Sequence, residues 1–331
     1  MQISQDMSLS TIFQPISAEL ETVRQALLKH LRDAFGLIKE TGFEKTVVEG
    51  KQIRPALALL AGLTVAPDKG PMLIDVAVAS EMTHFASLIH DDVVDDAKMR
   101  RGTESVNARW HDKIAVLLGD YIISQALYVL SEYRSTDVMR TIMSAVKEMS
   151  EGELHQIVIR SEGVISEKEY YNVIHYKTSS LMSAVCTMPL QLLGESSEAI
   201  EAMGTFGHNF GMAFQVVDDL LDFVANEKKI GKPVFCDIRD GKVTLPTICL
   251  LDRLDNSNGE RIRRILEERR LNGRDKSWLC EVLHSCAVNE YCLDVARDFA
   301  MKAKISLELF PDSEYKKSML DLCDYVVARE K

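Results

Sequence analysis

The chain has 331 residues, 46% hydrophobic and 27% charged, a globular composition that excludes a disordered, collagenous or disulfide-scaffold protein and allows one large domain or two ordinary ones. A formal net charge of −11 and a pI of about 5.3 provide no overall basic footprint, so nucleic acid is not expected as a partner. Only 17 glycines and 8 prolines punctuate the sequence, which favours helices over a sandwich or barrel.

The opening stretch MQISQDMSLSTIFQPISAEL lacks a basic start followed by an apolar run, so no signal peptide is expected. Apolar positions then recur at helical spacing over 16–38, 56–63, 73–90, 114–130 and 138–159, and again over 182–193, 199–224, 245–254 and 278–309. The spans 73–89 and 203–223 are apolar nearly all round, as in helices covered by neighbours on several sides. The span 252–277, rich in Arg, Glu, Asn and Gly, reads as an exposed helix with loops. No period-two pattern and no convincing linker appear. The expectation is therefore an all-α protein of about ten to thirteen helices in a single domain over 1–331. No uninterrupted apolar stretch of about 18 residues is seen, so no transmembrane segment is expected. Seven cysteines without a CxxC pair read as reduced thiols of a cytoplasmic protein, with no zinc spacing.

Chemistry is concentrated in two aspartate clusters, each at the end of an apolar helical run. The first is Asp91-Asp92-Val-Val-Asp95-Asp96 and the second Asp218-Asp219-Leu-Leu-Asp222. On a helix, positions i, i+1 and i+4 bring three carboxylates to one side, where like charges cost helix stability unless something offsets them. Mg²⁺ suits that role, since it takes oxygen ligands and commonly binds through one or two carboxylates plus substrate phosphates. Basic residues follow both clusters: Lys98, Arg100 and Arg101 after the first, Lys228, Lys229, Lys232 and Lys242 after the second. Carboxylates for the metal beside Arg and Lys for phosphate oxygens are what a Mg-diphosphate needs. A third element, Gly50-Lys51-Gln-Ile-Arg54-Pro55, presents two cations before an apolar helix, and His84 lies seven residues before Asp91, on the same helix face about two turns away.

Taken in order, Gly50-Lys51-x-x-Arg54-Pro55, His84, the first aspartate motif, Arg100-Arg101-Gly102, Gly119-Asp120-Tyr121, Glu151-Gly152-Glu153, Lys177-Thr178, Phe214-Gln215-Val-Val-Asp218-Asp219, Gly231-Lys232 and Gly241-Lys242-x-Thr-Leu-Pro246 make the chain resemble the trans-type polyprenyl diphosphate synthases. The resemblance implies antiparallel helices around a central cavity, a homodimer, and head-to-tail condensation of isopentenyl diphosphate with an allylic diphosphate. It implies Mg²⁺ as cofactor, held by Asp91, Asp92, Asp95, Asp218, Asp219 and Asp222. Arg100, Lys177, Lys232 and Lys242 would contact the allylic diphosphate; Gly50, Lys51, Arg54, His84 and Arg101 would bind isopentenyl diphosphate; Lys177, Thr178 and Gln215 would act at the reacting centre. Transient membrane contact for release of a long product is compatible with it.

The chain departs from the family pattern at Glu49 and Gln52, where a glycine and an arginine are usual, and at Phe235, where glycine is usual. If position 235 requires a positive φ, phenylalanine strains the loop that delivers Lys232. Product length is expected to follow from the helix before Asp91. Ala86 and Ser87 are small where shorter-chain relatives carry an aromatic floor, and Thr83, Met82 and Ala79 leave about 18 Å of path at 1.5 Å per residue. A long-chain product follows, with Leu127 or Tyr128 as alternative floors. Competing readings are a geranylgeranyl diphosphate synthase, a class I terpene cyclase and a non-catalytic subunit of a heteromeric synthase.

Overall fold

The helical spacing is realised almost throughout the residues that this computed structural model describes: 8–39, 50–100, 102–162, 166–224 and 234–329, the side chains of 159–162 excepted. The chain forms two compact units. The first comprises Met1–Val146, Leu181–Gly204 and Glu308–Met319, and the second Lys147–Ser180, Thr205–Leu307 and Leu320–Lys331.

The first unit is organised on the helix Gly70–Val94, against which Ser17–Gly36, Ile53–Val65 and Asp112–Ser131 all pack. Cover on several sides accounts for its apolar composition: Leu73, Val76, Ala79, Met82, Ala86 and Ile89 are buried, and Phe85 meets Phe35 with ring centroids 6.4 Å apart. The helix ends at the first aspartate motif, where the Asp95 N–H still donates to the Asp91 carbonyl at 2.8 Å. A two-residue antiparallel ladder follows, pairing Met99 with Glu104 and Arg100 with Thr103. Its turn includes Gly102 at φ +80°, a conformation that glycine takes without steric cost. This small hairpin has no counterpart in the sequence reading.

In the second unit, helix Glu167–Ile174 starts in a capping box. Ser166 Oγ accepts from the Glu169 N–H at 3.3 Å, and Glu169 Oε2 accepts from the Ser166 N–H at 2.7 Å. A π-helical turn, His175–Ser179, follows. The apolar run 278–309, read as continuous, is two helices, Gly273–Ser285 and Val288–Ser306. The break lies at Ala287, which adopts a left-handed φ of 48°. Helices Asn256–Glu268 and Gly273–Ser285 are tied by Arg261, which donates twice to Asp275 Oδ1, at 2.9 and 2.6 Å, and lies over the Trp278 ring.

All seven cysteines are free thiols. Two helices of the first unit, Gly70–Val94 and Asp112–Ser131, are long and apolar enough to cross a membrane by length and composition, where the sequence reading expected no such segment. A helix enclosed by neighbours acquires the same composition, and just over half of the apolar stretch of Gly70–Val94 is buried. Asp112–Ser131 is less covered: Val116 and Leu117 near its start and Tyr128 about three turns on are exposed, Leu117 being 67% and Tyr128 64% exposed.

Candidate functional site

At the first aspartate motif the three carboxylates have different surroundings. Asp92 is buried, and its Oδ1 accepts from Arg100 Nε at 2.9 Å and Nη2 at 2.5 Å. The hairpin is what carries Arg100 back over the helix end. The Asp92 carbonyl accepts from the Asn107 side chain at 3.1 Å and from the Ala97 N–H at 2.9 Å, so the backbone of the motif is fixed as well. Asp91 is half-buried and Asp95 exposed, on the last turn of the helix.

The second motif shows the same division. Asp219 is buried: its Oδ2 accepts from the Tyr170 hydroxyl at 2.7 Å and its Oδ1 from Gln215 Nε2 at 2.8 Å. Burial, reinforced by Asp218 and Asp222, pushes its carboxyl up to about 7 against the opposing effect of those two hydrogen bonds. Asp222 caps the short helical turn Cys236–Arg239, accepting from the Cys236 N–H at 3.2 Å and the Asp237 N–H at 2.9 Å. Its carboxyl is also raised by burial, and burial raises Asp237 with further help from Asp222 and Asp219, while Lys242 opposes it. Asp218 is the outward member, 57% exposed, and its Oδ1 lies 3.3 Å from Nη2 of Arg329. The buried Arg329 also donates to the Phe214 carbonyl at 2.8 Å and stacks over the Phe214 ring at 4.1 Å.

Phe235 adopts φ +63°, ψ +30°, so the position does require a left-handed residue. Its side chain is buried, packing edge-on against Phe223 with centroids 5.5 Å apart, and its N–H donates to the Asp222 carbonyl at 2.7 Å. Aromatic burial offsets the strain, and the residue sets the two amides that cap Asp222. Lys232, like Arg101, lies outside the described residues.

The π turn carries Lys177 and Thr178, two of the expected site residues. Gly152 makes its position feasible, because a Cβ there would lie 2.5 Å from Tyr176 Cβ. Lys177 Nζ donates to Glu153 Oε2 at 2.9 Å, and Thr178 Oγ1 donates to Gln215 Oε1 at 2.7 Å. One extra residue in a helical turn re-aims side chains, and such turns are common at functional sites. The sequence reading named Lys177, Thr178 and Gln215 but not Tyr170, whose hydroxyl acts 49 residues from its acceptor, nor Arg329 as a partner of Asp218.

Lys51 and Arg54 sit at the start of helix Ile53–Val65, entered through a left-handed Gln52 after Gly50, and that helix packs on the one bearing His84. Lys51 is exposed, while Gly50, Arg54 and His84 are half-buried. Of the chain-length residues, Met82, Thr83 and Ala86 are buried, and Ser87 is half-buried with its hydroxyl donating to the His84 carbonyl at 2.8 Å. Tyr128 faces outward, so it forms no floor within its unit.

Among the described residues no group of three or more His, Cys, Asp or Glu side chains is placed to hold a metal ion by itself. The donor set fits instead a hard cation that shares its coordination between one or two carboxylates and phosphate oxygens. A cation beside the buried carboxylates also reverses the electrostatic balance that raises them.

The polyprenyl synthetase family pattern matches residues 38–283. The chain is 31% identical over 326 residues to the octaprenyl diphosphate synthase of Escherichia coli K12, covering 98% of this chain and 100% of that one. It is 28% identical to heptaprenyl diphosphate synthase component 2 of Bacillus subtilis, covering 98% and 92% respectively. A polyprenyl synthase from Caulobacter crescentus CB15, solved with calcium and isoprenyl diphosphate, superposes with a TM-score of 0.89 at 27% identity, over 99% of this chain and 100% of that one.

Proposed function

Because the chain belongs to the polyprenyl synthetase family and is a prenyl-transferring enzyme, we propose that it is a Mg²⁺-dependent long-chain synthase. It adds isopentenyl diphosphate head to tail onto a farnesyl or geranylgeranyl diphosphate primer, giving an all-trans polyprenyl diphosphate of the kind used for quinone side chains. The observation that carries this reading is the hydrogen-bonded run from Thr178, on the π turn that also bears Lys177, through Gln215 to Asp219 of the second aspartate motif.

Cleaving an allylic C–O bond creates a carbocation and a diphosphate, so the barrier falls where fixed positive charge stabilises the leaving group more in the transition state than before. Mg²⁺ supplies part of that charge when bound. Asp91 and Asp95 in the first motif, and Asp218 in the second, would hold it, beside Asp92, Asp219 and Asp222, whose carboxylates accept the hydrogen bonds described above. Arg100, Lys177, Lys232 and Lys242 bind the allylic diphosphate; Lys51, Arg54, His84 and Arg101, with the Gly50 turn, bind isopentenyl diphosphate. Thr178 and Gln215 face the cation with oxygen dipoles, and the released diphosphate takes the final proton.

The long-chain assignment draws on the octaprenyl and heptaprenyl relatives and on small or flexible side chains at Ala86, Ser87, Thr83 and Met82. The exposed apolar side chains of Val116, Leu117 and Tyr128 on helix Asp112–Ser131 are compatible with a homodimer formed through that helix. One domain, a cytoplasmic location and transient membrane contact at product release complete the proposal. The test is consumption of isopentenyl diphosphate by the purified chain alone, given a farnesyl primer, with Mg²⁺ and with a chelator. Mg²⁺-dependent consumption supports the synthase; primer conversion without it indicates a cyclase, and activity only with a second protein indicates a subunit.

A further inference from the structure

We infer that Tyr170 and Asp219 form a positioning pair that fixes which way round the Gln215 amide stands, and through it the sense of the Thr178 hydroxyl. The inference deepens the proposed function and rests on Thr178 and Gln215 facing the reacting centre.

The hydrogen bonds form one unbranched chain. Tyr170 donates to Asp219 Oδ2, Gln215 Nε2 donates to Asp219 Oδ1, and Thr178 donates to Gln215 Oε1, at 2.7, 2.8 and 2.7 Å. Both Asp219 oxygens accept here, as an ionised carboxylate's do, whereas a primary amide has one donating and one accepting end. Asp219 therefore demands the NH₂ end of Gln215 and leaves the carbonyl end for Thr178. The single Thr178 proton is then committed to Gln215, so the hydroxyl presents lone pairs in its remaining directions. That is the negative end of its dipole, the end that stabilises a developing cation. Were the amide reversed, Gln215 would donate to Thr178, and the Thr178 proton would turn outward.

Tyr170 completes the device. Its side chain is fully buried, its ring packs against Tyr171 with centroids 5.6 Å apart, and its hydroxyl occupies the second Asp219 oxygen, so the carboxylate is held in one rotamer. Neither Tyr170 nor Asp219 needs to touch substrate. In this reading Asp219 serves the aspartate motif by orienting its neighbour one helical turn earlier.

The test uses the full chain with Mg²⁺, isopentenyl diphosphate and farnesyl diphosphate, in steady state and single turnover. Tyr170→Phe should lower kcat about 10- to 100-fold, the usual effect of losing a supporting hydrogen bond, while both KM values and the Mg²⁺ concentration for half-activation stay put. In a Gln215→Ala background the same substitution should add nothing, because the two act through one path. Asp219→Asn, which preserves size, should show the same non-additivity and stands in if Tyr170→Phe folds poorly. Independently of turnover, the side-chain ¹⁵N amide signal of Gln215, assigned by its loss in Gln215→Ala, should move in Tyr170→Phe. An unmoved signal, an unchanged kcat, a loss that multiplies fully in the Gln215→Ala background, or an effect confined to Mg²⁺ dependence would each overturn the pair. A moved signal in a chain that never consumes isopentenyl diphosphate would leave the pair standing and sink the proposed function instead.

Discussion

Gly152→Ala separates packing from catalysis at this site. A Cβ at 152 would lie 2.5 Å from Tyr176 Cβ and 3.4 Å from the Lys177 nitrogen. Carbon atoms prefer about 3.5–4.0 Å, so the helix and the π turn must part by about 1 Å. Overpacking of this kind costs about 1–3 kcal/mol, and the better helix propensity of alanine returns about 1 kcal/mol. Stability should therefore fall by no more than about 2 kcal/mol, a few degrees in Tm for a protein of this size. Activity should suffer far more, because the displaced turn carries Lys177 and Thr178, and a misplacement of about 1 Å can cost about 100-fold in rate. The assay is kcat/KM for farnesyl diphosphate alongside a thermal melt. A variant within about threefold of the parent rate would refute the view that this close approach positions the reacting groups.

Arg100→Ala leaves the buried Asp92 carboxylate without its two charged donors; because Arg100 is itself partly exposed, the loss should be about 1–3 kcal/mol, read as a lower urea midpoint. The KM for the allylic primer should rise with it, and Arg100→Lys should recover little, since lysine lacks the planar fork. Phe235→Gly removes left-handed strain of about 1–2 kcal/mol but forfeits a buried aromatic worth about 3–5 kcal/mol, so net destabilisation of about 1–4 kcal/mol is expected in denaturant unfolding; a stabilised variant would contradict the offset described above. Ala86→Phe should shorten the products, resolved by chromatography after dephosphorylation, and an unchanged ladder would remove position 86 from length control.

The helices and the motif residues were legible because both are local in sequence. Apolar spacing marked nearly every long helix, and the clusters at 91–96 and 218–222 stand out against their apolar flanks. What each carboxylate does was not legible, because it depends on partners brought from elsewhere in the chain. Asp92 is bound by Arg100 only because a two-residue ladder turns at Gly102. Asp219 is held by Tyr170 from another helix, and Asp222 is capped by amides that a left-handed Phe235 aims at it. The break at Ala287 has no local mark, because alanine is a strong helix former and neither Gly nor Pro stands at the turn. The capping box at Ser166 and Glu169 did carry a signal, Ser-x-x-Glu, which would have placed helix Glu167–Ile174 ahead of Lys177. The π turn carries no comparable mark: His175-Tyr-Lys-Thr-Ser179 reads as ordinary helix, and its extra residue shows only in the folded backbone.

In the proposed function this chain alone builds a long prenyl chain. The most direct measurement is to incubate it with Mg²⁺, isopentenyl diphosphate and a farnesyl or geranylgeranyl primer, then size the dephosphorylated products by chromatography and mass. A ladder ending well beyond four isoprene units is the predicted result; products that stop at three or four units, or no elongation at all, would contradict it.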